Sequence, residues 1–365
     1  MNFFHTHISE ASIVKATEAL RTTFISEGKL VREFESHLSS SLGLSNPVAL
    51  NSGTTALHLA LLIAGVGPDD EVILPAQTFI ATGMVILAER ANPVFCDIDP
   101  DTGNICTKSL AAKITKKTKA VMPVHWGGYP CDLDEINALS TDSGIAVIED
   151  AAHALGAEYR GKPIGVISRF TAFSFQAIKH ITTGDGGAIC CLEESDEANA
   201  RIRRWFAIDR ANAQPSILGE RLYDADRVGY KYHMNDLAAA VGLGNLPDLP
   251  KIKARLAEIA ARYRRELAGV DGLKFLRSDA DRVSGNWLFT IRVKRREDFI
   301  RALADRGVPT SVVHLRIDKN SVFGGPCSDL VGQAIFNEEQ VSLPIHFGLS
   351  DADIEQVIAA VKAGW

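Results

Sequence analysis

Between residues 45 and 192 the chain alternates short β-rich runs with helical patterns, and this alternation restricts the folds open to it more than any other feature. VAL at 48–50 leads into TTALHLALLIAG, where Leu57, Leu61 and Ala64 recur at helical spacing. EVILP at 71–75 leads into a helical stretch ending near Ala88. PVFCDID (93–99), KAVMPVHW (119–126), IAVIEDAA (145–152), FTAFSF (170–175) and GGAICCL (186–192) are further strand candidates. Strands alternating with helices predict an α/β fold with a large, mainly parallel sheet covered on both faces. In such sheets ligands gather at the carboxyl ends of the strands.

The texture changes later in the chain. A helical region runs from about Asn235 to Ala268, with Pro247 and Pro250 marking a boundary inside it. LKFLR, NWLFTIRVK, a helix near EDFIRALADRG and PTSVVHL then give an α+β pattern. The last helix, DADIEQVIAAVKAG, follows Ser350, a residue suited to cap it. The expected division is a large domain over 1–250 and a smaller α+β C-terminal domain over 251–365, with the N-terminal segment free to pack on the smaller one.

Composition narrows the function classes. A chain of 365 residues with 46% hydrophobic content can bury a large core. A net charge of -6 offers no basic field for nucleic acid. No apolar run approaches the roughly 20 residues of a membrane span. MNFFHTHISEAS lacks the basic and apolar regions of a secretory signal. The six cysteines are scattered without a C-x-x-C pair, which argues against a metal centre and for a reduced, cytoplasmic protein.

Three motifs can carry chemistry. NSGTTALHL (51–59) follows a strand and opens a helix, so its backbone N–H groups and the hydroxyls of Thr54 and Thr55 can hold a phosphate, although an ordinary helix cap uses the same residues. VIEDAAHALGA (147–157) ends an apolar strand on Glu149 and Asp150, with His153 three residues on; ligand binding and a capped helix with a core histidine both fit. FSFQAIKHITTGDGG (173–187) places Lys179 between an apolar run and a glycine-rich turn. Burial there would depress its pKa and give the neutral amine that carbonyl chemistry needs; an exposed turn lysine is the plainer alternative. Together a phosphate cradle, a strand-end acid and an amine match pyridoxal phosphate. Phe79 in LPAQTFIATG is available to face the ring, or to pack in the core.

With these residues in hand, the chain resembles the sugar aminotransferases of the DegT/DnrJ/EryC1/StrS family, within the fold-type I pyridoxal phosphate enzymes. NSGTTALHLAL, EVILPAQTFIAT, PVFCDIDPDTGN, VIEDAAHALGA, FSFQAIKHITTGDGG, GYKYHMNDLAAAVGLGNL and SLPIHFGLSDADI follow that family's order and spacing over nearly the whole chain. The resemblance implies that Lys179 forms a Schiff base with the cofactor and then shuttles protons, and that Asp150 binds the pyridine nitrogen. It implies His153 near the ring's phenolic oxygen, Phe79 on its face, and Thr54, Thr55 and Ser174 on the phosphate. GYKYHMND (229–236) would reach a neighbouring subunit's site in a homodimer, with Lys231 and His233 replacing the family's asparagine there.

The implied reaction moves an amino group from glutamate or glutamine to a nucleotide-linked keto-deoxysugar. Trp126, His314 and Arg316 are the substrate-side candidates, with Arg210 and Lys319 as further cations for a nucleotide; a core tryptophan, a structural histidine and solvated surface charges fit the same residues. A cofactor-binding regulator and a sugar dehydratase share the fold and stand as alternatives. The dehydratases of this family carry histidine in place of the lysine, so Lys179 argues for transamination. His180 and Gln176-Ala177 depart from the family's usual residues around that lysine.

Overall fold

A computed structural model describes residues 1–365 except 142 and 211. Its centre is a seven-stranded sheet built from β1 (Pro47–Leu50), β2 (Glu71–Pro75), β3 (Asn92–Cys96), β4 (Thr118–Val121), β5 (Ala146–Asp150), β6 (Phe170–Ser174) and β7 (Gly187–Cys191). The spatial order is β1-β7-β6-β5-β4-β2-β3. The pairs β2–β3, β2–β4, β4–β5 and β5–β6 are parallel, while β7 runs antiparallel to both β1 and β6. Val72, Ile73, Leu74 and all of β5 are buried. Near-continuous apolar runs are what a sheet with both faces covered demands.

The N-terminal part supplies α1 (Glu10–Arg21), α2 (Lys29–Leu42), α3 (Gly53–Ala64) and α4 (Ile80–Ala88). Ser52 caps α3 by accepting from the Thr55 N–H, and Gly65 ends it at φ 73°, a left-handed conformation that glycine adopts without steric cost. Asp236 ties the start of α2 to the helix Asp236–Asn245 by accepting from the N–H groups of Gly28 and Val31 at 2.8 and 3.1 Å.

A second, antiparallel sheet joins Leu273–Phe275, Phe289–Val293 and Gln340–Leu343. The helix Asp351–Lys362 starts at Ser350 in a complete capping box with Asp353. The helix Leu249–Glu266 runs straight through residue 251, so the expected division lies within its first turn. Its buried face, including Ile252, Leu256 and Ile259, joins one apolar core with Phe34 and Leu38 of α2 and Val357 of the last helix. The N-terminal segment lies along the C-terminal part: His5 stacks on His346, and His7 packs edge-on against Phe347.

Three local expectations differ from the structure. The strand expected at 119–126 stops at Val121; Pro123 has no N–H, and Val124 retains only an isolated bridge to Asp150. PTSVVHL contributes a bridge between Ser311 and Ser342 rather than a strand. No helix follows Asp150: tight turns occupy that stretch, with Ala154 N–H donating to Ala151 and Ala157 N–H to Ala154. Among the described residues no helix is long and apolar enough to cross a membrane.

Candidate active site

The carboxyl ends of β5 and β6, the start of α3 and the loop entering α4 surround a cavity of about 420 Å³. Thr54, Phe79, Asp150, His153, Ser174, Lys179 and His314 line it. Ser52 and Gly53 of the NSGTTALHL motif and Gln176 also line it, as do Thr82, Ser311, Val313, Trp287 and Phe4, which the sequence did not single out for the site.

Strand geometry decides which acid of the Glu149–Asp150 pair faces the cavity, because successive side chains on a strand point to opposite faces. Glu149 turns away and is fully engaged, accepting from His125 Nε2 at 2.8 Å and from the Ser168 N–H at 3.1 Å. Asp150 turns in. Thr82 Oγ1 donates to its Oδ2 at 2.8 Å and the Ala152 N–H to its Oδ1 at 3.2 Å. Burial pushes the Asp150 carboxyl above the usual range, with the Thr82 and Ala152 bonds and the charge of Lys179 opposing.

Lys179 sits in the excursion between β6 and β7, closed at its base by the Phe175 N–H donating to Gly186 at 2.8 Å. Lys179 is half-buried, and its Nζ lies 3.7 Å from the centre of the Trp287 ring. Burial pulls its pKa down to about 7, with Asp150 opposing. His153 lies flat against Trp287, ring centroids 3.8 Å apart. Its Nδ1 is buried without a hydrogen-bond partner, and burial holds the ring well below its ordinary pKa, so it is neutral.

The phosphate-cradle candidates separate. Thr54 and Ser174 line the cavity, and a Cβ on Gly53 would come 2.9 Å from the Ser174 Cβ, so the start of α3 is packed tightly onto the end of β6. The Thr55 hydroxyl instead donates to Asn51 at 2.9 Å, outside the lining. Phe79 is half-exposed at the cavity wall, 5.2 Å from His314. Val313 holds φ at 56°, a costly conformation for a β-branched residue, at the turn that brings His314 in. Burial and the charge of Lys179 push His314 down to about 4.

Besides Thr55, five expected residues lie elsewhere. Trp126 is buried behind the cavity, its Nε1 donating to Thr290 at 3.2 Å and its ring in an apolar cluster with Phe336 and Ile98. Arg316 is buried against Asp318, with Nε 2.6 Å from Oδ1 and a second bond to Oδ2, so it presents no open cation to a nucleotide. His233 packs edge-on against Trp205 at 4.3 Å, while Lys231 is exposed beside the same indole; neither lines the cavity of its own chain. Arg210 pairs with Glu27 at 3.2 Å.

The set present fits pyridoxal phosphate in this chain: a buried acid turned into the cavity, a half-buried amine without a hydrogen-bond partner, an unpartnered imidazole nitrogen, and hydroxyls at a helix start. Comparison with known proteins agrees. The model of the DegT/DnrJ/EryC1/StrS aminotransferase family matches residues 6–362. GDP-perosamine synthase of Caulobacter vibrioides is 35% identical over 94% of this chain and 92% of its own length. The crystal structure of the sugar aminotransferase CalS13 from Micromonospora echinospora has a TM-score of 0.95 at 34% identity, covering 100% of both chains. Spr1654 of Streptococcus pneumoniae, solved in a PLP form and a PMP form, has a TM-score of 0.92 at 30% identity; its PLP form is matched over 98% of its length and 100% of this chain.

Proposed function

The chain belongs to the DegT/DnrJ/EryC1/StrS aminotransferase family, whose cofactor is pyridoxal phosphate, and from that premise we propose that it aminates a nucleotide-linked keto-deoxysugar using glutamate, or glutamine, as donor. One observation carries the reading: the cavity gathers Lys179, Asp150 and His153, three titratable groups whose hydrogen-bonding capacity the chain leaves partly unused.

When bound, the cofactor supplies an electron sink for the carbon whose proton is moved. Lys179 Nζ takes up that proton and returns it, a task suited to an amine poised near neutrality. Asp150 would hold the proton of the ring nitrogen, with Thr82 fixing the orientation of its carboxyl. His153 would offer Nδ1 to the ring oxygen. Phe79 would cover the ring, and Thr54, Ser174 and the start of α3 would hold the phosphate. Thr55 would contribute its backbone there, since its hydroxyl is engaged with Asn51.

On the sugar side, Val313, Phe4 and Phe79 present an apolar wall suited to a deoxygenated edge, while Ser311 and His314 can meet hydroxyl groups. Among the described residues Lys179 is the only lysine or arginine lining the cavity. The remaining positive charge for phosphate or donor carboxylate would come from a second copy of the chain in a homodimer, through GYKYHMND. There the exposed Lys231 suits the role better than the enclosed His233.

The test is an absorbance titration. L-glutamate should bleach the visible cofactor band, and a nucleotide keto-deoxysugar should restore it while an amino sugar appears by mass spectrometry. A band unmoved by either donor, with no amino sugar formed, would contradict the reading.

A further inference from the structure

Trp287 and His180 adjoin Lys179 and have no part in the proposed function. We propose that they form a clamp that positions the Lys179 amine, an inference that rests on Lys179 being the cofactor's amine. Trp287 Nε1 donates to the carbonyl of Ile178, the residue before the lysine, at 2.9 Å. His180, the residue after it, donates from Nε2 to the carbonyl of Gly285 at 2.7 Å, two residues before Trp287. Between these two bonds the Lys179 amine rests on the Trp287 ring. The loop that carries the indole is thus fastened to the lysine segment on both sides of the lysine.

The joint has little slack. A Cβ on Gly285 would come within 3.0 Å of the His153 carbonyl oxygen and 3.3 Å of the His180 ring. Gly285 N–H donates to Gly128 at 2.9 Å, and Phe4 stacks on Trp287 with centroids 5.3 Å apart. Burial pushes His180 down to about 4, so near neutral pH its ring is uncharged and its Nε2 proton is fixed toward Gly285. The groups facing the amine are Asp150, His153, His180 and His314, and none of them forms a hydrogen bond or ion pair with it among the described residues. A lysine has four flexible side-chain bonds, so an amine without such a partner would wander. The indole face gives it a defined place: the ring attracts the amine electrostatically while it is charged, below about pH 7, and bounds its position by contact once it is neutral.

The clamp should matter where the amine must meet an aldehyde and not otherwise. Capture of pyridoxal phosphate by Lys179 forms a C=N bond and releases water. Pyridoxamine phosphate carries an amine in place of the aldehyde and forms no bond to Lys179. Stopped-flow absorbance on cofactor-free protein reads the capture rate, and fluorescence titration reads pyridoxamine phosphate affinity. Trp287→Leu and His180→Ala should slow capture roughly 10–100-fold, the scale of a small misplacement of a reacting group. Pyridoxamine phosphate affinity should be unchanged in His180→Ala; in Trp287→Leu, where the indole also backs His153, it should fall by far less than the capture rate. His180→Asn keeps an N–H donor and should recover most of the rate. Trp287→Phe keeps a ring face without the donor and should fall between wild type and Trp287→Leu; it also carries the test should the leucine variant not fold. Equal capture rates in all variants would overturn the clamp and leave the site intact. A parallel loss of pyridoxamine phosphate binding would mean a general packing role and would also overturn it. A wild-type chain that captures no aldehyde would overturn the reading of Lys179, and the clamp with it.

Discussion

Glu35 and Asp150 are carboxylates of the same chain, 5% and 6% exposed, in surroundings of different kinds. Glu35 accepts from the Ala49 N–H at 2.8 Å, from Arg204 at 2.6 Å and from Arg201 at 2.7 Å. Arg204 goes on to bond Glu27 at 2.7 Å and the Ala49 carbonyl at 3.0 Å. Asp150 has one hydroxyl and one N–H, with no arginine on it. Beside it stand an amine resting on an indole and an imidazole nitrogen with no partner. A buried polar network that is complete within the chain fixes structure; one left open toward a cavity has capacity for a ligand.

The most direct way to break this contrast is to empty its open side. Lys179→Ala should abolish turnover and the visible cofactor band, while thermal melting shows no loss of stability, because the amine has no hydrogen-bond partner to lose. Asp150→Asn should lower turnover about 10²–10⁴-fold, the range for a lost proton-handling group, again with the fold retained. Glu35→Ala should do the reverse. Leaving Arg204 buried without its main partner costs about 3–5 kcal/mol, read by urea denaturation, while the folded fraction keeps its cofactor spectrum. If Glu35→Ala left stability intact, or Lys179→Ala unfolded the chain, the distinction between the two clusters would fail.

Two smaller effects sharpen it. The folded-state pKa of Lys179 is lowered to about 7, so the amine is protonated and unreactive below that pH and neutral above it. Capture of pyridoxal phosphate should therefore rise by about tenfold per pH unit up to about 7 and then level off, as for any reactive base that must first lose a proton. Ser350→Ala, outside both clusters, removes one helix cap and should cost about 1 kcal/mol in denaturation with no change in the capture rate.

The sequence made the parallel sheet legible because its strands are apolar runs bounded by turn residues, and β2 falls on EVILP itself. Asp150 and Lys179 were legible for a related reason: a carboxylate ending an apolar strand and a lone amine entering a glycine turn both interrupt a local pattern. What lay beyond reach depended on distant partners. Trp287 bonds a carbonyl 109 residues away, and nothing in NWLFTIRVK distinguishes that indole from a core residue. Trp126, in WGGYP, could have shaped the pocket or packed in the core, and Thr290 and Phe336 hold it behind the cavity. Arg316 looked like an open cation, although Asp318, two residues on, carried the signal of its pairing. Thr82, inside α4, reaches Asp150 only because α4 packs beside the end of β5.

The central claim is that the open cluster around Lys179 holds the cofactor. The most direct measurement is the absorbance spectrum of purified wild-type and Lys179→Ala protein, each mixed with pyridoxal phosphate and then with L-glutamate. The account predicts a visible protein-bound band in the wild type that glutamate bleaches, and no such band in the variant. A variant with the same band and the same response to glutamate would contradict it.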